Sequence, residues 1–286
     1  MPFLEKLITE KTPILQLHND SHISYEDKLK ALGCVSAREH DYMEYMYYMT
    51  SIWYYFKPDT ENYGYPFAII DELMGSYLAN QKGMPAVAFQ IAQVENQIGL
   101  ASINFHIPGF QYYYCSQIPL FNLFQQSSSI DNKEKLEQPC PADQTKEELI
   151  TQMLKMIALD LYMLQKDRCL INLQIEIDSN SKHVAFAPLH DFSNCNDCVG
   201  PDGLYLKNPV VTLTYATIRA LLKKYPEFRE YVSFFLGQKM SDTWNQICQD
   251  YHLNQDCYTY ENILEHYKIK EEKQKIFIND LLKNVS

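Results

Sequence analysis

The chain has 286 residues, 46% of them apolar and 21% charged, which is long enough for two lobes and too apolar for a disordered protein. Its formal net charge is −11, and a protein whose main task is gripping nucleic-acid phosphates is usually basic, so direct nucleic-acid binding is not expected. No apolar run of about 18 residues occurs, and "MPFLEKLITEK" is charged from Glu5 on, so neither a membrane span nor a secretory leader is predicted and a cytoplasmic location is expected. The 8 cysteines are then expected as thiols. Cys195 and Cys198 form the single C-x-x-C, without the second ligand pair that a structural zinc site needs.

Residues 1–30 read as a short helix followed by turns. The aromatic-rich stretch from Asp41 to Lys57 reads as two strands with a turn near Thr50–Ser51, because Tyr, Trp and Ile favour a pleated, half-buried surface. The second strand is Ile52–Lys57, stopped by Pro58, which cannot donate to a ladder. "YPFAIIDELMGSYLANQKGMP" is predicted helical: Ile69, Leu73, Tyr77 and Leu78 keep helical spacing, Gly83 marks the end and Pro85 follows. "AVAFQIAQV" and "QIGLASINFH" are two strands around a turn at Glu95-Asn96, and Pro108-Gly109 breaks the pattern.

Residues 125–146 are polar and hold two prolines, which predicts an exposed loop. A helix follows over roughly 146–165. Two alternating runs, "NLQIEI" and "HVAFAPLHDF", predict a hairpin around Ser179–Lys182. Beyond the loop 193–208 the chain reads as helical, with Pro226 starting a second helix and one or two more toward the C-terminus. Strands plus one helix, then mostly helices around one hairpin, predict an α+β, two-lobed fold, with a β-rich N-lobe over 1–108 and a mostly helical C-lobe over 109–286.

One constellation within this order carries chemistry. Phosphoryl transfer needs the γ-phosphoryl group held in line with its acceptor and its charge offset by Mg²⁺ and a cation. A protein kinase meets this with a strand Lys, a helix Glu that pairs with it, a catalytic-loop Asp, an Asn five residues later and a second Asp usually followed by Phe. The chain fills each role in order: Lys57 ends "WYYFK", Glu72 sits one turn into the next helix, Asp167 and Asn172 have the D-x-x-x-x-N spacing, and Asp191 precedes Phe192 in "HDF". The predicted hairpin brings Asn172, opening one strand, and Asp191, ending the other, to the same end of the ribbon, where a metal could use both oxygens. No glycine-rich loop is evident; Gly33, Ser36 and Arg38 in "LGCVSAREH" are the candidates for touching nucleotide phosphates.

The segments "YYFKP", "IIDELMGSYLANQKGMP", "IGLASINF", "KDRCLINLQIEI" and "VAFAPLHDF" resemble the HipA-like kinases, bacterial serine/threonine kinases of toxin–antitoxin type with a protein-kinase-like fold. The resemblance spans roughly residues 52–193. It implies an ATP- and Mg²⁺-dependent kinase in which Lys57 binds the nucleotide phosphates, Glu72 pairs with Lys57, Asp167 is the catalytic base, and Asn172 and Asp191 bind the metal. It implies a protein substrate and an antitoxin-like partner. It also suggests phosphorylation within "QQSSSI", at Ser127–Ser129. Two other readings stay open: a pseudokinase or interaction module, and a kinase acting on a lipid or small-molecule hydroxyl.

Overall fold

The computed structural model describes residues 3–18, 46–49, 52–59, 67–106, 109–114, 143–165, 173–192 and 215–283. Asp167, Asn172, Ser36, Arg38, Ser127–Ser129 and the Cys195/Cys198 pair lie outside the described residues, as do the loop 193–208 and the turn at Thr50–Ser51.

The architecture is α+β. A five-stranded sheet is ordered β1-β4-β5-β3-β2, from β1 (Leu15–Leu17), β2 (Met46–Met49), β3 (Ile52–Pro58), β4 (Phe89–Val94) and β5 (Gln97–Ile103). All pairings are antiparallel except β1 on β4. β4 and β5 meet through a two-residue turn whose Glu95 has φ 52°, in the left-handed region. β3 reaches one residue further than expected: Pro58 closes it opposite Gly99.

β1 was not anticipated: the expected helix near the N-terminus is a single 3-10 turn at Glu5–Leu7, and β1 follows it. Three residues carry no legible alternation, and the partner strand is some 75 residues away, pairing Leu15 with Ala92.

Between β3 and β4 runs α1 (Ala68–Gln81). Its apolar residues are spread around the helix, and Ile69, Ile70, Leu73, Met74, Leu78 and Ala79 are all buried. A helix apolar on every side belongs inside. It ends in a left-handed Gly83 (φ 69°), where Gly83 N–H donates to Asn80 O at 3.0 Å and Met84 N–H to Ala79 O at 3.0 Å. Lys57, Leu100 and Ile91 are in register across the sheet, so they share the face that meets α1. Phe56, Tyr54, Ala101, Ala92, Val94 and Leu17 form a smaller apolar cluster of their own.

A second sheet, ordered β6-β7-β8, comprises β6 (Phe110–Tyr114), β7 (Gln174–Asp178) and β8 (Val184–Phe186). The β7–β8 hairpin is where it was expected, but β6 was not foreseen. β8 is also shorter than expected. It ends at Phe186, so Asp191 lies five residues beyond the strand and does not end it. An isolated bridge from Ala86 to Leu189 carries the chain onward between the two sheets.

The helical part is α2 (Asp143–Met163), α3 (Tyr215–Lys224), α4 (Pro226–Leu236), α5 (Met240–Asp250) and α6 (Tyr258–Lys283). α2 begins three residues earlier than the predicted loop allowed. Pro226 does start α4, at a position where its missing N–H is harmless. The C-terminal region is one 26-residue helix. One continuous core joins α1, the inner face of the larger sheet, β7, β8 and α2–α6. Among the described residues no helix is long and apolar enough to cross a membrane.

Candidate active site

Three residues from distant parts of the chain converge beside α1. β3 delivers Lys57, α1 delivers Glu72, and the segment after β8 delivers Asp191. Lys57 Nζ lies 3.1 Å from Glu72 Oε2 and 3.6 Å from Asp191 Oδ1. The Glu72 side chain is only 2% exposed, whereas Asp191 is 34% exposed and Lys57 23%. The buried carboxylate therefore holds the group together, and the other two are partly exposed.

Glu72 does more than pair with a lysine. Its Oε1 accepts the Asp191 N–H at 2.8 Å, and its Oε2 accepts the Phe192 N–H at 2.8 Å. Three donors thus converge on one buried carboxylate, and this meets the requirement that a buried charge be paired and hydrogen-bonded. Burial works against the charge on Lys57, but the Glu72 and Asp191 carboxylates outweigh it and hold its pKa above the ordinary lysine value.

Asp191 itself has φ 60°. A non-glycine residue in this region costs roughly 1–3 kcal/mol and persists only where its surroundings fix it. Here they are the Glu72 carboxylate on its N–H and Gln165 on its C=O, Gln165 Nε2 donating at 2.9 Å. Gln165 is fully buried and follows Leu164, itself at φ 55°, just past the end of α2. Behind Asp191, Phe192 is fully buried and lies against Gly75 of α1 so closely that a Cβ on Gly75 would overlap its ring.

Of the sequence-predicted residues, Lys57, Glu72 and Asp191 are brought together. Asp167, Asn172, Ser36 and Arg38 fall outside the described residues. Gln165 and Gly75 were not foreseen. For Gly75 a signal existed: a glycine in the middle of a helix costs about 1 kcal/mol relative to alanine and needs a local reason. A cavity of about 330 Å³ lies between the C-terminal half of α1, Phe89 and Tyr251, but none of the three converging residues lines it.

The donor set suits a hard divalent cation, since Asp191 offers a partly exposed carboxylate oxygen. Among the described residues no group of three His, Cys, Asp or Glu side chains could hold a metal alone. Any cation there needs further oxygens from a ligand or from other residues.

Glu72→Gln tests the carboxylate. An amide presents one oxygen where two backbone N–H groups and an ammonium need acceptors. The substitution is expected to cost about 1–3 kcal/mol of stability in urea denaturation, the cost of a buried donor left unpaired. Unchanged stability would contradict the three-donor arrangement.

No protein-family model matches the sequence, and no curated protein matches it. Solved structures do match in three dimensions. The proinflammatory kinase CtkA of Helicobacter pylori superposes with TM-score 0.55 at 13% identity, covering 80% of this chain and 89% of that one. The chain shares its fold with this kinase. HipA of the Shewanella oneidensis MR-1 toxin–antitoxin complex with HipB and operator DNA gives TM-score 0.54 at 10% identity over 84% of this chain and 64% of that one. In this chain the larger sheet carries Lys57, the adjoining helix carries Glu72, and the segment after the β7–β8 hairpin carries Asp191.

Proposed function

We propose that this protein is an ATP- and Mg²⁺-dependent phosphotransferase that moves the γ-phosphoryl group to a serine or threonine hydroxyl of another protein. The observation that carries the reading is the convergence of Lys57, Glu72 and Asp191 through one buried carboxylate, within a fold shared with kinases. The N-lobe runs to about residue 108 and the C-lobe from 109 to 286, with the nucleotide between them.

Lys57 binds the nucleotide phosphates and offsets their charge. Glu72 orients Lys57 and fixes the backbone of Asp191, so the lysine and the carboxylate stay in register. Asp191, together with Asn172, holds Mg²⁺, which supplies charge neutralisation at the phosphates. Asp167 accepts or orients the proton of the acceptor hydroxyl, and Ser36 and Arg38 contribute to the phosphate site. By the same likeness, a protein partner of the antitoxin type belongs to the proposal, and the protein acts in the cytoplasm.

A thermal-shift titration with ATP, with and without Mg²⁺, on wild type and Asp191→Ala tests this. Binding to the folded state alone stabilises by RT ln(1 + [L]/Kd), about 2.7 kcal/mol at a hundredfold excess over Kd. We expect a Mg²⁺-dependent rise in Tm for wild type and its loss in Asp191→Ala. No shift for wild type would remove the nucleotide site. A shift without transfer to any protein would favour an interaction module or a small-molecule kinase. Intact mass of a modified product separates an added phosphate from an added nucleotide.

A further inference from the structure

Glu72 has a neighbour whose role the site does not explain. Asp71 is fully buried, and so is Lys270 of α6; Lys270 Nζ lies 3.4 Å from Asp71 Oδ1. The Tyr267 hydroxyl, on the same face of α6, donates to that oxygen at 3.0 Å. A second contact joins the same two helices one step away: Phe67, which caps α1, stacks on His266 with ring centroids 4.0 Å apart and planes 9° from parallel. α6 is in turn tied to α5, because the Glu271 carboxylate accepts both the backbone N–H and the hydroxyl of Ser241, at 2.6 and 2.9 Å.

Stability is a weak reason to bury such a pair. Desolvating two ions costs several kcal/mol, and apolar replacements of buried pairs are often neutral or stabilising. The better-attested use is register: a buried polar contact admits one alignment where apolar side chains tolerate several. The geometry suits that use. Adjacent residues on a helix point about 100° apart, so Asp71 faces α6 while Glu72 faces Lys57 and the Asp191–Phe192 amides. A turn or slide of α1 that displaced one carboxylate would displace the other.

We propose that Lys270 and Tyr267 are positioning residues: by holding Asp71 they set the rotation of α1, and so place the Glu72 carboxylate against the backbone of Asp191 and Phe192. The catalytic importance of that placement rests on the kinase reading; the placement itself does not.

The test is therefore read on the amides. Hydrogen exchange at Asp191 N–H and Phe192 N–H reports the Glu72 bonds whether or not the protein transfers phosphate. In Lys270→Met we expect these two amides to exchange at least about tenfold faster, with the amides of α4 unchanged. Val232→Ala, a cavity variant in α4, serves as the control for general destabilisation. The double variant Asp71→Asn/Lys270→Met removes both charges without restoring the ion pair. It is expected to regain Tm but not protection at Asp191 and Phe192. Tyr267→Phe, which removes one hydroxyl, is expected to change exchange in the same direction and decides the matter if Lys270→Met does not fold. Wild-type protection in folded variants would overturn the proposal. So would a rise no larger than in Val232→Ala, or full recovery of protection in the double variant. Failure of the kinase reading shows separately, as a wild type with no nucleotide-dependent thermal shift.

Discussion

Lys57→Met is expected to lower phosphoryl transfer roughly 10²–10³-fold, the scale for removing one preorganised electrostatic group from a transition state, while leaving the fold in place. The lysine sits between two carboxylates, 3.1 Å from one and 3.6 Å from the other, so it is already oriented before any nucleotide arrives. Orientation without reorganisation is what gives such a charge its effect. The fold survives because Glu72 keeps its two backbone donors. Stability measured against pH gives a separate check. The folded-state pKa of Lys57 is raised, so its contribution is fully present below the unfolded value near 10.5 and is lost as pH rises through the higher folded value. The Tm difference between wild type and Lys57→Met should hence be constant between about pH 6 and 9 and shrink only in stronger alkali. Unchanged turnover in a folded Lys57→Met protein would rule out the assigned role.

What could be read from the sequence was local. The β3 strand, α1 with its Gly83 stop, the β4–β5 turn at Glu95-Asn96 and the β7–β8 hairpin announce themselves within windows of a few residues. Lys57, Glu72 and Asp191 could be picked out because a strand lysine, a helix glutamate and a later Asp-Phe follow one another in the order that protein kinases use. Elements defined by distant partners could not be found in this way. β1 is three residues whose pairing depends on β4. β6 gains its meaning from β7, at the other end of a connection of about sixty residues. The hairpin logic placed Asp191 at a strand end, but the strand stops at Phe186 and a left-handed turn presents the carboxylate. Polar residues within helices were the other blind spot. Asp71 and Lys270 look in sequence like ordinary solvated charges, yet both are fully buried, and only the juxtaposition of α1 and α6 reveals why.

Gly75→Ala should separate helix propensity from site geometry. On propensity alone the change stabilises α1 by about 1 kcal/mol. Space argues the other way: the new methyl group would overlap Cβ, Cγ and Cδ1 of Phe192, with the Cβ contact at 2.7 Å. Overlap at the ring alone could be relieved by a rotamer change, but overlap at Cβ requires the backbone of Phe192 to move. Overpacking of this kind costs typically 1–3 kcal/mol, so a modest net fall in stability is expected. The effect on activity should be far larger. Phe192 N–H and Asp191 N–H share the Glu72 carboxylate, and a displacement near 1 Å at such a site can cost about a hundredfold in rate. Tm measured beside the rate of transfer tests the separation: a small thermal change with a large loss of turnover is the expected outcome. A Gly75→Ala protein that is both more stable and fully active would show that Phe192 does not seat against α1, and the link from helix to Asp191 would fail with it.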